Sequence, residues 1–195
     1  MGEIQAVLAA DTVPAASAAA SPSPSAKPSA SSTPQYTFPP GVNDSTPVGQ
    51  AIDEMARTHV PLGTKITYEH NPPTSGCHYP PPDAPVTAGA YDKAIPPEYW
   101  VHNLEHGYVV VLYNCPSGCH DDFDKLQSWY GGLPADPGGV VKYAKVLILP
   151  YSDMKPKFAM VSWGWYDSMD GLDIDEVQRF YDDHNNHSLE GPGAG

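Results

Sequence analysis

Two histidines and a carboxylate lie within five residues of one another in the segment 100–107, just before the most apolar run of the chain. Residues four apart share one face of a helix, and alternate residues share one face of a strand. His102 and His106 therefore project to the same side in either structure. Two imidazoles on one side can form half of a metal site or half of an acid–base pair.

A third imidazole, His78, lies in the proline-rich segment 70–82, which the prolines prevent from forming a helix or a central strand. A loop made rigid in this way can hold reactive side chains in a fixed geometry. A tight copper or zinc site needs three or four ligands. We expect His78, His102 and His106 to supply three, with Glu105 as a ligand or as a residue that orients one.

The fourth donor decides which metal the histidines favour. A thioether from Met160 beside the imidazoles favours copper, whereas a carboxylate favours zinc. We expect copper in preference to zinc, and the alternative is a metal-free interaction module in which the histidines serve structure alone. His184 and His187 lie at the end of a predicted helix, where a cation is favourable, and are given no role. His59 is expected to end an earlier helix for the same reason.

The residues from His102 to His106 also have the form H-x-x-E-H, which occurs in a class of zinc metalloproteases with the glutamate as general base. That chemistry needs a long helix. Because Pro96 and Pro97 precede the motif and Gly107 follows it, at most one helical turn is expected there. We therefore expect a binding protein rather than an enzyme.

The chain has three cysteines, Cys77, Cys115 and Cys119, so a single disulfide leaves one thiol over. A disulfide across the C-x3-C turn is the plain structural interpretation. Strand, C-x3-C, helix, strand, strand and helix in this order also resemble a thioredoxin-like fold, in particular copper chaperones of the Sco type. That resemblance implies a thiol-redox or copper-delivery protein that uses Cys115 and Cys119. Those proteins take a histidine from a later hairpin, and the segment 150–157 has none.

The elements that must hold these residues follow from hydrophobic spacing and from Pro, Gly and capping residues. The spacing predicts helices over 48–58, 121–130 and 174–184, and strands over 65–69, 108–113, 140–149 and 158–165. We expect the apolar run 108–113 to be a central strand and the last two strands to pair as a hairpin. The fold class that follows is α+β, a mixed sheet with packed helices.

Residues 1–45 are rich in Ala, Ser and Pro and are predicted to be a disordered linker, because they cannot bury enough apolar area to offset their ordering entropy. Residues 46–190 are expected to form one globular domain. The net charge of −13 argues against nucleic acid, whose phosphates require a basic surface. A Pro/Ser/Ala stalk is commonest outside the cytosol, so we expect an extracytoplasmic protein. Its expected partners are a metal ion and a membrane-bound protein.

Two longer motifs carry a family resemblance. The segment 71–76 followed by His78 and Tyr79, and the segment 101–107 followed by an apolar strand, resemble the bacterial family called domain of unknown function 3105. The resemblance covers about residues 48–190. It implies an extracytoplasmic domain, often tethered by a membrane segment and a linker, and it implies no activity.

Two cysteines depart from the pattern of that family. Cys77 stands where the family more usually has proline, and Cys119 is also a departure. The resemblance therefore implies an additional disulfide between Cys77 and Cys119. Such a bridge would tie the proline-rich segment to the end of the strand and would leave Cys115 free.

Overall fold

The computed structural model describes residues 46–136, 141–187 and 189–190, and the predicted disordered linker over 1–45 lies outside them. Within the described residues the elements are β1 (Gln50–Ala51), β2 (Gly89–Ala90), α1 (Pro97–Glu105), β3 (Val109–Tyr113), α2 (His120–Gly132), β4 (Val146–Pro150), β5 (Phe158–Ser162), β6 (Trp165–Met169) and α3 (Ile174–His184). None of these helices is both long enough and apolar enough to span a bilayer.

All six strands belong to one mixed sheet, in the order β1-β6-β5-β3-β4-β2. Strand β3 runs parallel to β4 and antiparallel to β5, and β5 runs antiparallel to β6. The first four residues of β3 are buried, as expected for a Val-rich strand covered on both faces. The α+β fold class and the central position of the run 108–113 are confirmed.

The sheet separates two apolar layers. Helix α1 packs on the face that carries Val110 and Leu112, whereas α2 and α3 pack on the face that carries Val109 and Val111. The alternation along β3 follows from the two-residue period of a strand. Any side chain on the α2–α3 face is therefore separated from α1 by the full thickness of the sheet.

Helices α2 and α3 confirm the predictions over 121–130 and 174–184. The N-cap of α3 is Asp173, whose carboxylate accepts hydrogen bonds from the backbone N–H groups of Asp175 and Glu176. The predicted hairpin between 140–149 and 158–165 is wrong, because β4 and β5 lie on opposite sides of β3. Strand β5 instead turns at Gly164 into β6, which the sequence did not separate from it.

Two other predicted elements are wrong. Residues 52–60 form no helix, because their backbone groups form hydrogen bonds to distant loops: the N–H of Ile52 donates to the carbonyl of Gly164 (2.8 Å), and the N–H of Met55 donates to Ser75 Oγ (2.9 Å). The segment 65–69 forms no strand. Non-local hydrogen bonds have overridden a weak local preference.

The connectivity from β3 onward bears on the thioredoxin-like alternative. A parallel β3–α2–β4 unit is followed by antiparallel β5 and β6 and then by α3, which packs with α2 on one face. This arrangement is compatible with a thioredoxin-like core, and the classification stays a prediction.

Candidate metal centre

The last turn of α1 presents three groups that can bind a metal. Pro97 at the first helical position starts the helix, and its fixed φ suits that place. Helix α1 has nine residues, so the prediction of at most one helical turn is wrong. His102 and Glu105 lie one turn apart in α1, and His106 is its C-cap. The negative end of the helix dipole lies here and favours a cation.

The proline-rich segment brings His78 against this turn. His78 is completely buried, and its Nδ1 lies 2.9 Å from the carbonyl oxygen of Gly76. Gly76 has φ +124°, and a Cβ there would meet the ring of Tyr68 at 3.1 Å. Glycine is therefore needed for the backbone turn that aims this carbonyl at His78.

A further histidine, His59, joins the cluster through the backbone. His59 and His78 form an isolated β-bridge, in which the N–H of His78 donates to the carbonyl of Thr58 and the N–H of Val60 donates to the carbonyl of His78. The rings of His59 and His102 stack with their centroids 5.0 Å apart. A residue that the sequence predicted to end a helix thus supplies a ligand candidate through a β-bridge.

Four side chains converge on one point. One possible ligand atom from each of His59, His78, His102 and Glu105 lies within 4.8 Å of all the others. His78 Nε2 and Glu105 Oε2 are 2.9 Å apart, and His59 Nε2 and Glu105 Oε2 are 3.9 Å apart. Ligand atoms of a tetrahedral zinc ion are separated by about 3.3 Å, given metal–nitrogen bonds of about 2.0 Å. Small side-chain movements would bring all four donors to that separation.

The two buried histidines of the four-residue group, His78 and His102, each have Nδ1 fixed by a backbone carbonyl. A carbonyl oxygen only accepts hydrogen bonds, so the Nδ1–H of His102 donates to Tyr79 O (2.7 Å) and the Nδ1–H of His78 donates to Gly76 O. Each ring therefore leaves Nε2 for its other contact, which is Glu105 Oε2 for His78 and His106 Nε2 for His102. Metal-binding histidines commonly have this arrangement, with the second ring nitrogen fixed by a backbone carbonyl or a carboxylate.

Burial keeps the histidines on α1 in the form that binds metal. Burial lowers the pKa of His102 from 6.5 to about 4, against the opposing effect of its hydrogen bond to Tyr79 O, and the neighbouring histidines lower the pKa further. The pKa of His106 is also lowered, chiefly by burial, although Glu190 and Glu105 act in the opposite direction. His102 is consequently neutral at pH 7, with a lone pair on Nε2.

His106 lies beside the four-residue group rather than in it. Its Nε2 is 3.2 Å from His102 Nε2 and 3.2 Å from Glu190 Oε2, and with Glu105 and Glu190 it forms a second, smaller group of possible donors. The structure thus brings His78, His102 and Glu105 together as predicted, with His106 adjacent to them. Its role as a ligand stays a prediction.

The predicted thioether donor is in the wrong place. Met160 lies on the α2–α3 face of the sheet, packed in the apolar layer with Val109 and Val111, and the sheet separates it from α1. Met160 faces that way because it pairs directly with Val111. The cluster therefore offers imidazoles and a carboxylate, and the sulfur of Met160 does not reach it.

The cysteines do not form the disulfide that the departures from the family pattern implied. Cys115 and Cys119 form the disulfide, and Cys77 is free, so the implied Cys77–Cys119 bridge is wrong. The C-x3-C turn brings its two cysteines to a Cα–Cα distance of 5.7 Å, within the range that a disulfide requires. The sulfur of Cys77 lies 3.7 Å from the carbonyl of Ala56, outside the group of donors.

Glu105 is buried and already engaged by basic groups. Its Oε1 lies 3.1 Å from Nε of Arg57, and its Oε2 faces His78. A general base in a metalloprotease must face the metal-bound water. The helix length no longer argues against the metalloprotease, but the contacts of Glu105 do.

Sequence reasoning missed three residues at this centre: His59, Arg57 and Glu190. The sequence predicts a helix end for the histidine and indicates no role for the arginine or the glutamate. In the sequence, nothing marks these residues as part of a site except a charged group or an imidazole. Their contacts with the cluster are made between residues far apart in the chain, so spacing could not reveal them.

Comparisons with known proteins agree with the family resemblance. The family model described as "Protein of unknown function (DUF3105)" matches residues 59–195. That range includes the whole of α1 and His78, and it starts at His59. No curated protein and no solved structure matches the chain.

Proposed function

Since the chain belongs to the family of proteins of unknown function DUF3105, its role has to be inferred from its own site, and we propose that it binds a divalent transition-metal ion. The ligands are His59, His78, His102 and Glu105, and His106 adjoins them. Four protein donors complete a tetrahedral shell, which is typical of a site that binds a metal without catalysis; catalytic sites keep one position open.

One observation carries this proposal: two buried histidines have Nδ1 fixed on backbone carbonyls, and each offers a ring nitrogen within 4.8 Å of the same carboxylate, that of Glu105. His78 Nε2 and Glu105 Oε2 are 2.9 Å apart. Two bare acceptor atoms repel each other at that distance, so a proton or a metal ion has to lie between them. A purely structural pair does not require a third and a fourth donor at the same point.

The donor set supports copper first and zinc second. Imidazole nitrogens bind both metals, and a carboxylate oxygen suits zinc. For a given set of nitrogen and oxygen donors, however, affinity peaks at Cu²⁺ in the series of first-row divalent ions. We therefore expect Cu²⁺ to displace Zn²⁺ in competition, even without a contribution from Met160.

A matched pair of histidines from the proline-rich segment tests the proposal. His70 resembles His78 in that its Nδ1 lies 2.6 Å from a nearby carbonyl, that of Pro72, but it packs on Tyr166 outside the cluster. Protein stripped with a chelator and then loaded with Cu²⁺ or Zn²⁺ should retain one ion per chain, measured by plasma mass spectrometry. His78→Ala should lose the ion, and His70→Ala should keep it. Equal metal content in the two variants would sink the proposal, and a wild-type chain that retains no metal would favour the metal-free interaction module.

We also propose that the domain works outside the cytosol, with a membrane-bound protein as its partner. The disulfide between Cys115 and Cys119 supports this location, because such bonds persist in oxidising compartments. A thiol-reactive probe that does not cross membranes tests this location by labelling the free Cys77 in intact cells. A chain labelled only after lysis would contradict the proposal.

A second candidate function is thiol–disulfide exchange at Cys115 and Cys119. The observation that favours it is the position of the disulfide, directly after the central strand β3 and at the N-cap of α2, with both cysteines half-buried. Exchange at such a position would oxidise a substrate dithiol while the pair is reduced. The reduction potential of the Cys115–Cys119 pair can be measured on the Cys77→Ser variant, which is equilibrated in glutathione buffers and then alkylated. A pair that stays oxidised in the folded protein even in strongly reducing buffer is structural.

A further inference from the structure

An open cleft borders the metal centre on the side of Arg57. It has a volume of about 420 Å³ and is lined by Glu54, Met55, Ala56, Arg57, Trp163 and Leu189. That volume lies within the range of small-molecule sites, about 300–1,000 Å³. Three of the lining side chains are apolar aliphatic or thioether groups, and Trp163 adds an indole. The cleft therefore offers apolar side chains against which the body of a small ligand can pack.

Arg57 connects the cleft to the cluster. Its Nε lies 3.1 Å from Glu105 Oε1, and its side chain is 44% exposed. Among the residues that the structure describes, Glu105 is its ion-pair partner, and that pair uses Nε. The terminal nitrogens of the guanidinium remain for a ligand. A guanidinium matches the two oxygens of a carboxylate with two parallel hydrogen bonds.

The cleft also contains a negative charge, that of Glu54, which already accepts a hydrogen bond. Glu54 Oε2 accepts a hydrogen bond from the indole Nε1–H of Trp163 at 2.8 Å, which fixes both side chains. Glu54 repels an anionic ligand, and its repulsion acts over the same short range as the attraction of Arg57. The two residues therefore have opposite effects on the same ligand.

The wall that carries Arg57 is held from both sides. Ile52 and Met55 are bonded to Gly164 and Ser75, and the Thr58 carbonyl accepts from the N–H of His78. Residues 54–57 thus lie between anchored positions although they form no regular element. A wall fixed in this way loses little conformational entropy when a ligand binds.

We propose that this cleft binds a small organic carboxylate, with Arg57 on the carboxylate and with Trp163 and Leu189 on its apolar body. A metal ion in the cluster strengthens this binding, and this part of the inference depends on the proposed function. The metal and Arg57 share Glu105, so a bound cation takes up the negative charge that Arg57 otherwise faces. The guanidinium is then freer to pair with the ligand, and by linkage the ligand raises metal affinity by the same factor.

Benzoate and uncharged benzamide are suitable probes, because they have the same ring and differ in charge. Titration is followed by calorimetry on the zinc-loaded protein and on the chelator-stripped protein. Benzoate should bind, and benzamide should bind at least about tenfold more weakly, as expected for loss of a charge-assisted pair. Equal affinities for the two probes, or no benzoate binding to either form, would overturn the inference.

Two variants with opposite predicted signs sharpen the test. Arg57→Gln should weaken benzoate binding at least about tenfold, and Arg57→Lys should recover part of it. Glu54→Gln, which keeps an oxygen acceptor for Trp163, should leave binding unchanged or strengthen it. Weakening by Glu54→Gln to the same extent as by Arg57→Gln would show disruption of the cleft wall and would contradict a specific role of Arg57.

The metal dependence is judged separately from the cleft. Benzoate should bind at least about threefold more tightly to the zinc-loaded protein. Equal binding to the two forms overturns the coupling. If the protein takes up no zinc, the proposed metal site fails. In that case, benzoate binding that depends on Arg57 still supports the carboxylate cleft, and benzoate binding that does not depend on Arg57 overturns it.

Discussion

Two buried histidines, His102 at the end of α1 and His184 at the end of α3, have much in common and differ in one respect. Each is 2% exposed, each donates from one ring nitrogen to a backbone carbonyl, and burial lowers the pKa of each. His184 lies against the rings of Trp165 and Phe180, at 4.6 and 4.4 Å. His102 lies against three other histidines, with Glu105 in the same group of donors as two of them.

The difference shows that burial and a lowered pKa do not by themselves identify a functional histidine. His184 Nε2 is 2.8 Å from the carbonyl of Val48, so this ring ties the start of the domain to α3. Among the described residues His184 belongs to no group of possible metal donors. What distinguishes His102 is the convergence of several donor atoms, which local sequence and burial do not report.

When each ring is removed in turn, the largest difference between the two variants should be in their metal affinity. Loss of an outer partner of a ligand lowers metal affinity about 10–100-fold, so loss of the His102 ligand should lower it more than about 100-fold. His184→Ala should leave metal affinity within about twofold of wild type, since this ring is not a ligand. Competition against a chromophoric chelator measures both variants. Similar losses in the two variants would erase the distinction between the two histidines.

The same two variants should also differ in how added metal changes their stability. His184→Ala removes a packed ring and a hydrogen bond, which should cost about 2–3 kcal/mol of unfolding free energy with or without metal. For His102→Ala, the stabilisation that added metal gives the wild type should disappear. Urea unfolding with chelator and with excess Zn²⁺ provides the four values. A His184→Ala chain as stable as wild type would contradict the structural role of this ring.

Acid should lower the stability of the metal-free protein, because burial lowers the pKa of both histidines in the folded state. The folded-state pKa of His102 is about 4 and its ordinary value is 6.5, so between these values the unfolded chain binds a proton that the folded chain does not. Stability therefore falls as pH falls from about 6.5 to about 4. In His102→Gln the loss of Tm between pH 7 and pH 4.5 should be smaller. An identical pH profile for wild type and variant would argue against the lowered pKa.

The smallest effect should follow from a change on the far face of the sheet. Met160→Leu conserves volume in the α2–α3 layer and should cost less than about 1.5 kcal/mol of stability. Copper affinity should stay within about twofold of wild type, because the sheet separates this sulfur from the cluster. Isothermal titration with Cu²⁺ checks this. A large loss of copper affinity would restore the thioether as a ligand.

Much of the fold could be predicted from local pattern. The run 108–113 is the central strand, and the predicted helices 121–130 and 174–184 are α2 and α3, because apolar period and capping act within a few residues. The hairpin and the helix over 48–58 failed for a different reason. Strand partners, and the loops that bond to residues 52–60, are chosen by contacts between distant parts of the chain.

The candidate site divides along the same line. The sequence by itself determined that His102 and His106 lie on one side of a short segment, since residues four apart share a face. It also determined that a rigid proline-rich loop carries His78. Only the tertiary structure decided that this loop meets α1, that His59 joins it through a β-bridge, and that Met160 points away. Those outcomes depend on strand pairing and on which face of the sheet a residue takes, and neither is encoded in the spacing of the ligands.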